Sequence, residues 1–450
     1  MIFSTIANWI WGLACIAALL QGVLLGLHTW EHRRFARRRR SDPRPVDQTS
    51  RVALLSPCKG LDLQLESNLR HLLRQNYQNY EVIFIVESDT DPALTVIERL
   101  IQQESQVPAR VIIAGRATQT GQKIHNLAIA TAQLGAGVDI LAFVDSDICP
   151  EPDWLGRLVA RLSRPESGAI TGYRWFVPVR FTFANCLLYS VNASIAALLG
   201  SGGQSIVWGG SWAIRRSDFE SLGIRESWQG TISDDLVATR AIQAARLSIE
   251  FEPVCMTESP MDYSFCGLGS FLRRQHMIGR IYAPRIWYQS FCLMIVSSVA
   301  VLGAVSLLTA SLIFGENWPR WPVCFLLTWY ALQVYRGWLR RDLAQVYVKN
   351  WTTCTAWAIL FDVLAAPVSL IYNTLVMCSA CLGSRIAWRG ITYDLDRQGR
   401  LMRVLQPATL VSAAGRQLRY DPPEPPFRSV DRSAVEPPAQ HSIRDPHSRP

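Results

Sequence analysis

The chain has 450 residues, of which 49% are hydrophobic and 18% charged, and its formal net charge is +9. That length exceeds one small domain, and so apolar a balance argues against an entirely soluble enzyme. The cysteines are odd in number, eleven, and scattered through apolar runs, which fits reduced thiols. Cys378 and Cys381 form a C-x-x-C, but no second ligand pair accompanies them, so no metal or redox role is assigned.

The first element is an uncharged run from Ile6 to Leu27. It is too long for a signal peptide and no small-residue cleavage site follows it, so residues 1–30 are expected to form a retained transmembrane anchor. Residues 31–50 read as a basic juxtamembrane linker, with seven arginines between Arg33 and Arg44. Positive residues beside a span stay on the cytoplasmic face, and anionic head groups attract them. A nucleic-acid-binding arm is rejected, because the cluster abuts a span and lacks interleaved aromatics.

Residues 51–265 change character. Short β-branched runs at Val52–Ser56, Glu81–Val86, Arg110–Ala114, Ile140–Val144 and Ala169–Gly172 alternate with helical spacing at 61–75, 92–103, 122–135 and 152–163. Such alternation predicts an α/β domain with a mostly parallel sheet, whose ligands bind beyond the carboxyl ends of the strands. Ser56-Pro57, Glu87 to Asp91 and Asp145-Ser146-Asp147 all fall on that rim. Further on come a small-residue loop, Gly200–Arg216, and a helix start at Ser233, whose hydroxyl suits an N-cap. Asp234 and Asp235 then occupy the first turn, where the helix dipole favours negative charge.

The remaining segments read as membrane-associated. Residues 266–289 are basic and amphipathic without an acid, which predicts an interfacial segment. Residues 290–383 carry a span at Ser290–Phe314, a shorter one at Trp321–Tyr335, and a third apolar run, Thr353–Leu382, interrupted by Asp362 and Pro367. Four crossings would put the basic 384–406 segment outside, against the charge rule, so the run holding Asp362 and Pro367 is expected to be re-entrant or interfacial. Residues 407–450 have the composition of a disordered tail.

The acidic pair Asp145 and Asp147 is the sharpest chemical signal. Two carboxylates one residue apart repel each other unless a cation lies between them. A hard divalent ion, Mg2+ or Mn2+, takes few carboxylates and completes its shell with the oxygens of a nucleotide diphosphate. No G-x-x-x-x-G-K-[ST] and no strand-following G-x-G-x-x-G occurs, which argues against a P-loop or a dinucleotide cofactor.

With the upstream stretches Ser56–Gly60, Val86–Ala93 and Gly121–Ala128, this D-x-D resembles membrane glycosyltransferases of the GT-A type. It is most similar to the family 21 ceramide glucosyltransferase group, including its bacterial, hopanoid-associated relatives. The likeness runs from about Val52 to Arg285, and Trp388–Leu395 matches a C-terminal signature. The resemblance implies that Ser56, Glu87, Asp89 and Asp91 hold the uracil and ribose of a UDP-sugar, and that Lys123 and Asn126 steady its phosphates. Asp145 and Asp147 would bind sugar and metal. Gly209, Gly210 and Ser211 would line the acceptor side, with Asp234, Arg273 and His276, and Asp235 would be the catalytic base.

Those roles imply an inverting transfer of a hexose, glucose above all, to the hydroxyl of a membrane lipid such as ceramide. The enzyme would be a multi-pass protein of a bacterial inner membrane with a cytoplasmic catalytic domain and no nucleic-acid partner. Two departures stand out. Ser88 occupies the position of the family's first acid, so Glu87 or Asp89 must substitute. The (Q/R)-x-x-R-W motif reads Arg273-Arg274-Gln275-His276-Met277. Lys59 and Arg174 read as ordinary solvated charges. Two alternatives remain: a processive polysaccharide synthase, and a non-catalytic membrane protein that binds a nucleotide sugar.

Overall fold

The apolar N-terminal run and most of the arginines after it form one helix, α1 (Ile2–Arg40). The basic stretch is thus helical up to Arg40. Four of its charges meet acids of the protein: Arg33 and Arg37 face Asp342, Arg39 faces Glu252 and Arg40 faces Glu151. The computed structural model describes residues 2–42, 49–314, 320–405, 409–411 and 417–419.

A seven-stranded sheet follows. Its first half alternates β1 (Val52–Pro57), α2 (Leu65–Leu72), β2 (Tyr80–Val86), α3 (Pro92–Gln103), β3 (Ala109–Ile113), α4 (Gln122–Ala132), β4 (Ile140–Val144) and α5 (Trp154–Val159). β1, β2 and β4 are buried almost throughout, which is why they read as continuous apolar runs. The second half adds β5 (Ser167–Pro178), α6 (Phe183–Ala196), β6 (Ser211–Arg215), α7 (Arg216–Ser221), α8 (Ile224–Ser227), α9 (Asp234–Ala244) and β7 (Ser248–Met261). The order is β3-β2-β1-β4-β6-β5-β7, and only β6 runs against its neighbours. The expected mostly parallel α/β sheet is therefore present, with two strands the sequence did not announce. The small-residue loop ends in one of them, since Ser211–Arg215 is β6.

Two helices, α10 (Phe265–Tyr282) and α11 (Pro284–Phe314), divide the predicted interfacial segment, with Pro284 opening the second. Then come α12 (Arg320–Tyr347), α13 (Thr353–Leu364) and α14 (Ala366–Ala380). Among the described residues two helices are long and apolar enough to cross a membrane, Trp9–Arg40 and Pro284–Phe314, and α13 and α14 together could make a third, bent by 85°. The bend falls at Ala365, just before Pro367, which cannot donate to the ladder. The Trp321–Tyr335 run lies within α12, which is not among those long apolar helices.

After α14 comes a three-stranded sheet, β8 (Arg385–Trp388), β9 (Ile391–Leu395) and β10 (Leu401–Leu405), in the order β10-β9-β8. This sheet is stitched to the larger domain: Leu401 N donates to Gly230 O, and Gln122 N donates to the Tyr393 hydroxyl. Of the segment expected as a tail, 409–411 and 417–419 pair as a two-stranded ribbon, and the rest lies outside the described residues.

Candidate active site

Three neighbouring parallel strands, β2, β1 and β4, end on one edge and put Glu87, Ser56 and Asp145 there. The reversed strand β6 starts opposite the end of β4, Ser211 facing Val144. Its preceding turn therefore lands on the acidic pair, and Asp145 N donates to Gly210 O at 3.2 Å. Two helix starts converge on the same point. Gly121, which precedes α4, donates to Thr231 O just ahead of α9. Ser233 caps α9 as expected.

Lys123 is the hub. Its ammonium lies 2.8 Å from Asp145 Oδ1 and 3.2 Å from Asp234 Oδ2, and it donates to Gly209 O at 3.1 Å. A lysine in the first turn of a helix opposes the dipole. Burial also works against its charge, yet the carboxylates of Asp145, Asp234 and Asp235 outweigh it and hold the pKa well above the usual lysine value. A Cβ at position 209 would come within 2.8 Å of Asp234 Oδ2 and 2.9 Å of the Lys123 ammonium, so only glycine admits this approach.

The two members of each acid pair are treated differently. Asp147 pairs with Arg174 at 3.9 Å, while its other oxygen, Oδ1, is buried without a hydrogen-bond partner. Burial and then repulsion from Asp145 push its carboxyl up against the pull of Arg174. An orphaned carboxylate oxygen beside a second acid is a fitting seat for a cation. Among the described residues no three His, Cys, Asp or Glu side chains gather as a metal cage. A divalent ion held here would need oxygens from a ligand, as a diphosphate supplies.

Asp234 is buried, and that burial lifts its carboxyl to about 6 despite Lys123. Asp235 is only half-buried. Its Oδ1 accepts from Ser233 Oγ at 2.6 Å and Leu236 N at 2.8 Å, and its Oδ2 accepts from Gly209 N at 3.1 Å. Three donors fix that carboxylate and leave acceptor capacity on Oδ2.

The other expected residues scatter around this centre. Glu87 is ion-paired with Lys59 and lies 3.6 Å from Arg116. Asp91 caps α3, accepting from Ala93 N at 3.0 Å and from Gly60 N at 2.9 Å, so it ties two loops of the rim together. Asp89 sits exposed on the intervening turn. Ser56 is fully buried, its hydroxyl against the Cys58 thiol. Asn126 lies one turn behind Lys123's end of α4 and accepts from Gln122 Nε2 at 2.8 Å. Ser211 Oγ is buried, accepting from Trp154 Nε1 at 2.8 Å. Arg273 donates to Leu382 O at 2.7 Å, and His276 pairs with Asn373 Oδ1 at 2.9 Å. Those two residues tie α10 to the α14 region instead of joining the carboxylates, and Met277 packs in the core.

Other cations take the place expected for them. Arg174 pairs with Asp147 and stacks over Phe176 at 4.5 Å and Trp208 at 5.6 Å, which is not a solvated charge. Lys59 is likewise committed, to Glu87. Arg274 lies over Phe271 and Trp388. Arg389 reaches Asp62 at 2.6 Å, and Asp62 in turn accepts from Ser146 Oγ at 2.7 Å. No sequence spacing brings these residues together; an arginine in the Trp388–Leu395 signature was the one available hint.

The sequence model for glycosyl transferase family 21 matches residues 13–401. Ceramide glucosyltransferase 1 of Caenorhabditis elegans is 21% identical over 202 residues, 42% of this chain and 41% of the relative. Ceramide glucosyltransferase of Komagataella phaffii is 31% identical over 121 residues, 26% of this chain and 23% of the relative. The chain thus matches less than half the length of either. A mannosyltransferase from Pyrobaculum calidifontis, solved with GDP-Man and Mn2+, overlays at a TM-score of 0.43 with 16% identity, covering 82% of this chain and 97% of its own.

Proposed function

The chain belongs to glycosyl transferase family 21, and we propose that it moves a hexose, most simply glucose, from a UDP-sugar to a membrane-lipid hydroxyl with inversion at the anomeric carbon. The observation that carries this reading is the Lys123 cluster. One ammonium joins Asp145, of the strand-edge pair, to Asp234, of the helix-start pair, so a donor site and an acid–base site share one mouth.

In the proposed reaction the acceptor hydroxyl gives its proton to Asp235 as its oxygen bonds to the anomeric carbon. The bond from that carbon to the diphosphate breaks on the opposite side, and UDP leaves with the electron pair. A divalent ion held by Asp145 and Asp147 would neutralise charge on the leaving diphosphate. Lys123 keeps Asp145 in place, and Ser233 and the Gly209 amide keep Asp235 aimed. The rim loops of Ser56, Glu87, Asp89 and Asp91 would take the nucleoside, Asn126 the start of α4 beside the phosphates, and Gly210, Ser211, Arg273 and His276 the outer acceptor side.

A lipid acceptor is supported by the surface around α6 and α10. Phe181, Phe183, Phe265 and Trp357 are each at least half exposed and touch one another in pairs, Phe181 with Trp357 and Phe183 with Phe265. Ring contacts also lead inward, from Tyr263 to Phe271 to Phe176, over which Arg174 lies beside Asp147. Exposed aromatics next to long apolar helices suit a bilayer surface. In that setting the apolar helices would span a membrane, bacterial inner membrane included, with the sheet on its cytoplasmic side.

The test is a transfer assay with purified protein, Mn2+ or Mg2+, labelled UDP-sugars and a lipid panel of ceramide, diacylglycerol and sterol-type acceptors. Label in a monoglycosylated lipid with inverted configuration is expected. Label only in long polymer, or none with any UDP-sugar, would contradict the proposal.

A further inference from the structure

The turn between β8 and β9 has only two residues, Arg389 and Gly390, with Trp388 paired to Ile391 across the hairpin. Both have positive φ, 46° and 78°. Such primed turns favour Asn-Gly or Gly-Gly, because a Cβ in the left-handed region crowds the following carbonyl. An arginine kept there, where a smaller residue would relieve the backbone, directs attention to its side chain.

That side chain crosses 327 residues of sequence to the mouth of the site. One terminal nitrogen donates to Asp62 Oδ1 at 2.6 Å, and the other donates to Lys59 O. Asp62 also accepts from Ser146, the residue between the two metal-type acids. Burial works against the charge of Arg389, but Asp62, Asp147 and Asp145 outweigh it and raise its pKa, so it lies in the field of the acidic pair. More than a third of the side chain remains exposed, and three of its five donors are unspent.

The neighbouring cations are committed. Lys123 serves Asp145 and Asp234, Arg174 serves Asp147 and its aromatic rings, and Arg274 is sandwiched near Phe271 and Trp388. Arg389 differs, because its partner would keep the Ser146 hydroxyl if the guanidinium left. We infer that Arg389 is a ligand of the donor diphosphate, presented by the C-terminal hairpin and parked on Asp62 until a nucleotide arrives. The planar guanidinium matches two phosphate oxygens at once, which a lysine does not. This assignment rests on the UDP-sugar reading above and names the chain's own group for the phosphates.

Calorimetry with UDP and with uridine, both in the presence of Mn2+, separates the possibilities in the full-length protein. Arg389→Ala should weaken UDP binding by about tenfold or more, leave uridine binding unchanged and leave the melting temperature close to wild type. Arg389→Lys should recover only part of the loss, and Asp62→Asn should bind UDP as tightly as wild type or more so. Equal weakening toward UDP and uridine would mean that the arginine only shapes the rim loop, and unchanged UDP binding would mean that it touches no phosphate; either overturns the assignment alone. A wild-type protein that binds neither compound overturns the donor reading itself.

Discussion

Asp235→Asn should lower sugar transfer by about 10²–10⁴-fold, the range over which positioned bases act, while UDP binding stays near wild type. The amide keeps the volume, and its single oxygen can still accept from Ser233 and from Leu236 N, so the α9 start should persist while the Gly209 N–H loses its acceptor. What it cannot do is take the acceptor proton. The adjacent acid supplies the control. Asp234 is buried against Lys123, and its carboxyl is raised to about 6, so Asp234→Asn removes a counter-charge from the donor side. It should weaken nucleotide binding before it slows the chemical step. Single-turnover assays with titrated donor distinguish the two, and the reverse pattern would move the base from Asp235 to Asp234.

Asp362→Asn should destabilise the protein by about 3–5 kcal/mol, the usual cost of stranding one charge of a buried pair. Arg340 and Asp362 are both almost fully buried, and they meet through two hydrogen bonds of 2.8 and 2.9 Å. Ser190 of α6 donates to the same carboxylate at 2.7 Å, so one acid fastens α12 and α13 to the sheet domain. Removing only the acid leaves a buried guanidinium uncompensated. The double variant Arg340→Met/Asp362→Leu should recover most of the loss, since apolar replacement of a whole buried pair is often neutral. Unfolding of detergent-solubilised protein provides the reading. A change within about 1 kcal/mol for Asp362→Asn would show that the pair is not the fastening.

Much of this arrangement was legible in the linear sequence for simple reasons. β1, β2 and β4 are buried on both faces, so they read as unbroken apolar runs, and Asp145 and Asp147 stand out at the end of one. Ser233 was readable because N-capping is local. The interruption at Asp362 and Pro367 marked the bend between α13 and α14 for a similarly local reason. β7 was hidden because Pro253 and Pro260 and several acids break its pattern; as the edge of the sheet it tolerates them. β6 is only five residues long and follows glycines, which mask it. Ion pairs made at long separation leave no trace at all. Arg174 and Lys59 look like any surface charge in sequence, and nothing there announces that Arg273 meets Leu382 or that His276 meets Asn373.

Asp145 and Asp147 are proposed to hold a divalent ion against a nucleotide diphosphate. Calorimetric titration of UDP, with and without Mn2+, into wild type and Asp145→Ala/Asp147→Ala tests it most directly. Binding that needs the metal in wild type and vanishes in the double variant is the predicted result. Equal UDP uptake by both proteins, or uptake indifferent to the metal, would contradict it.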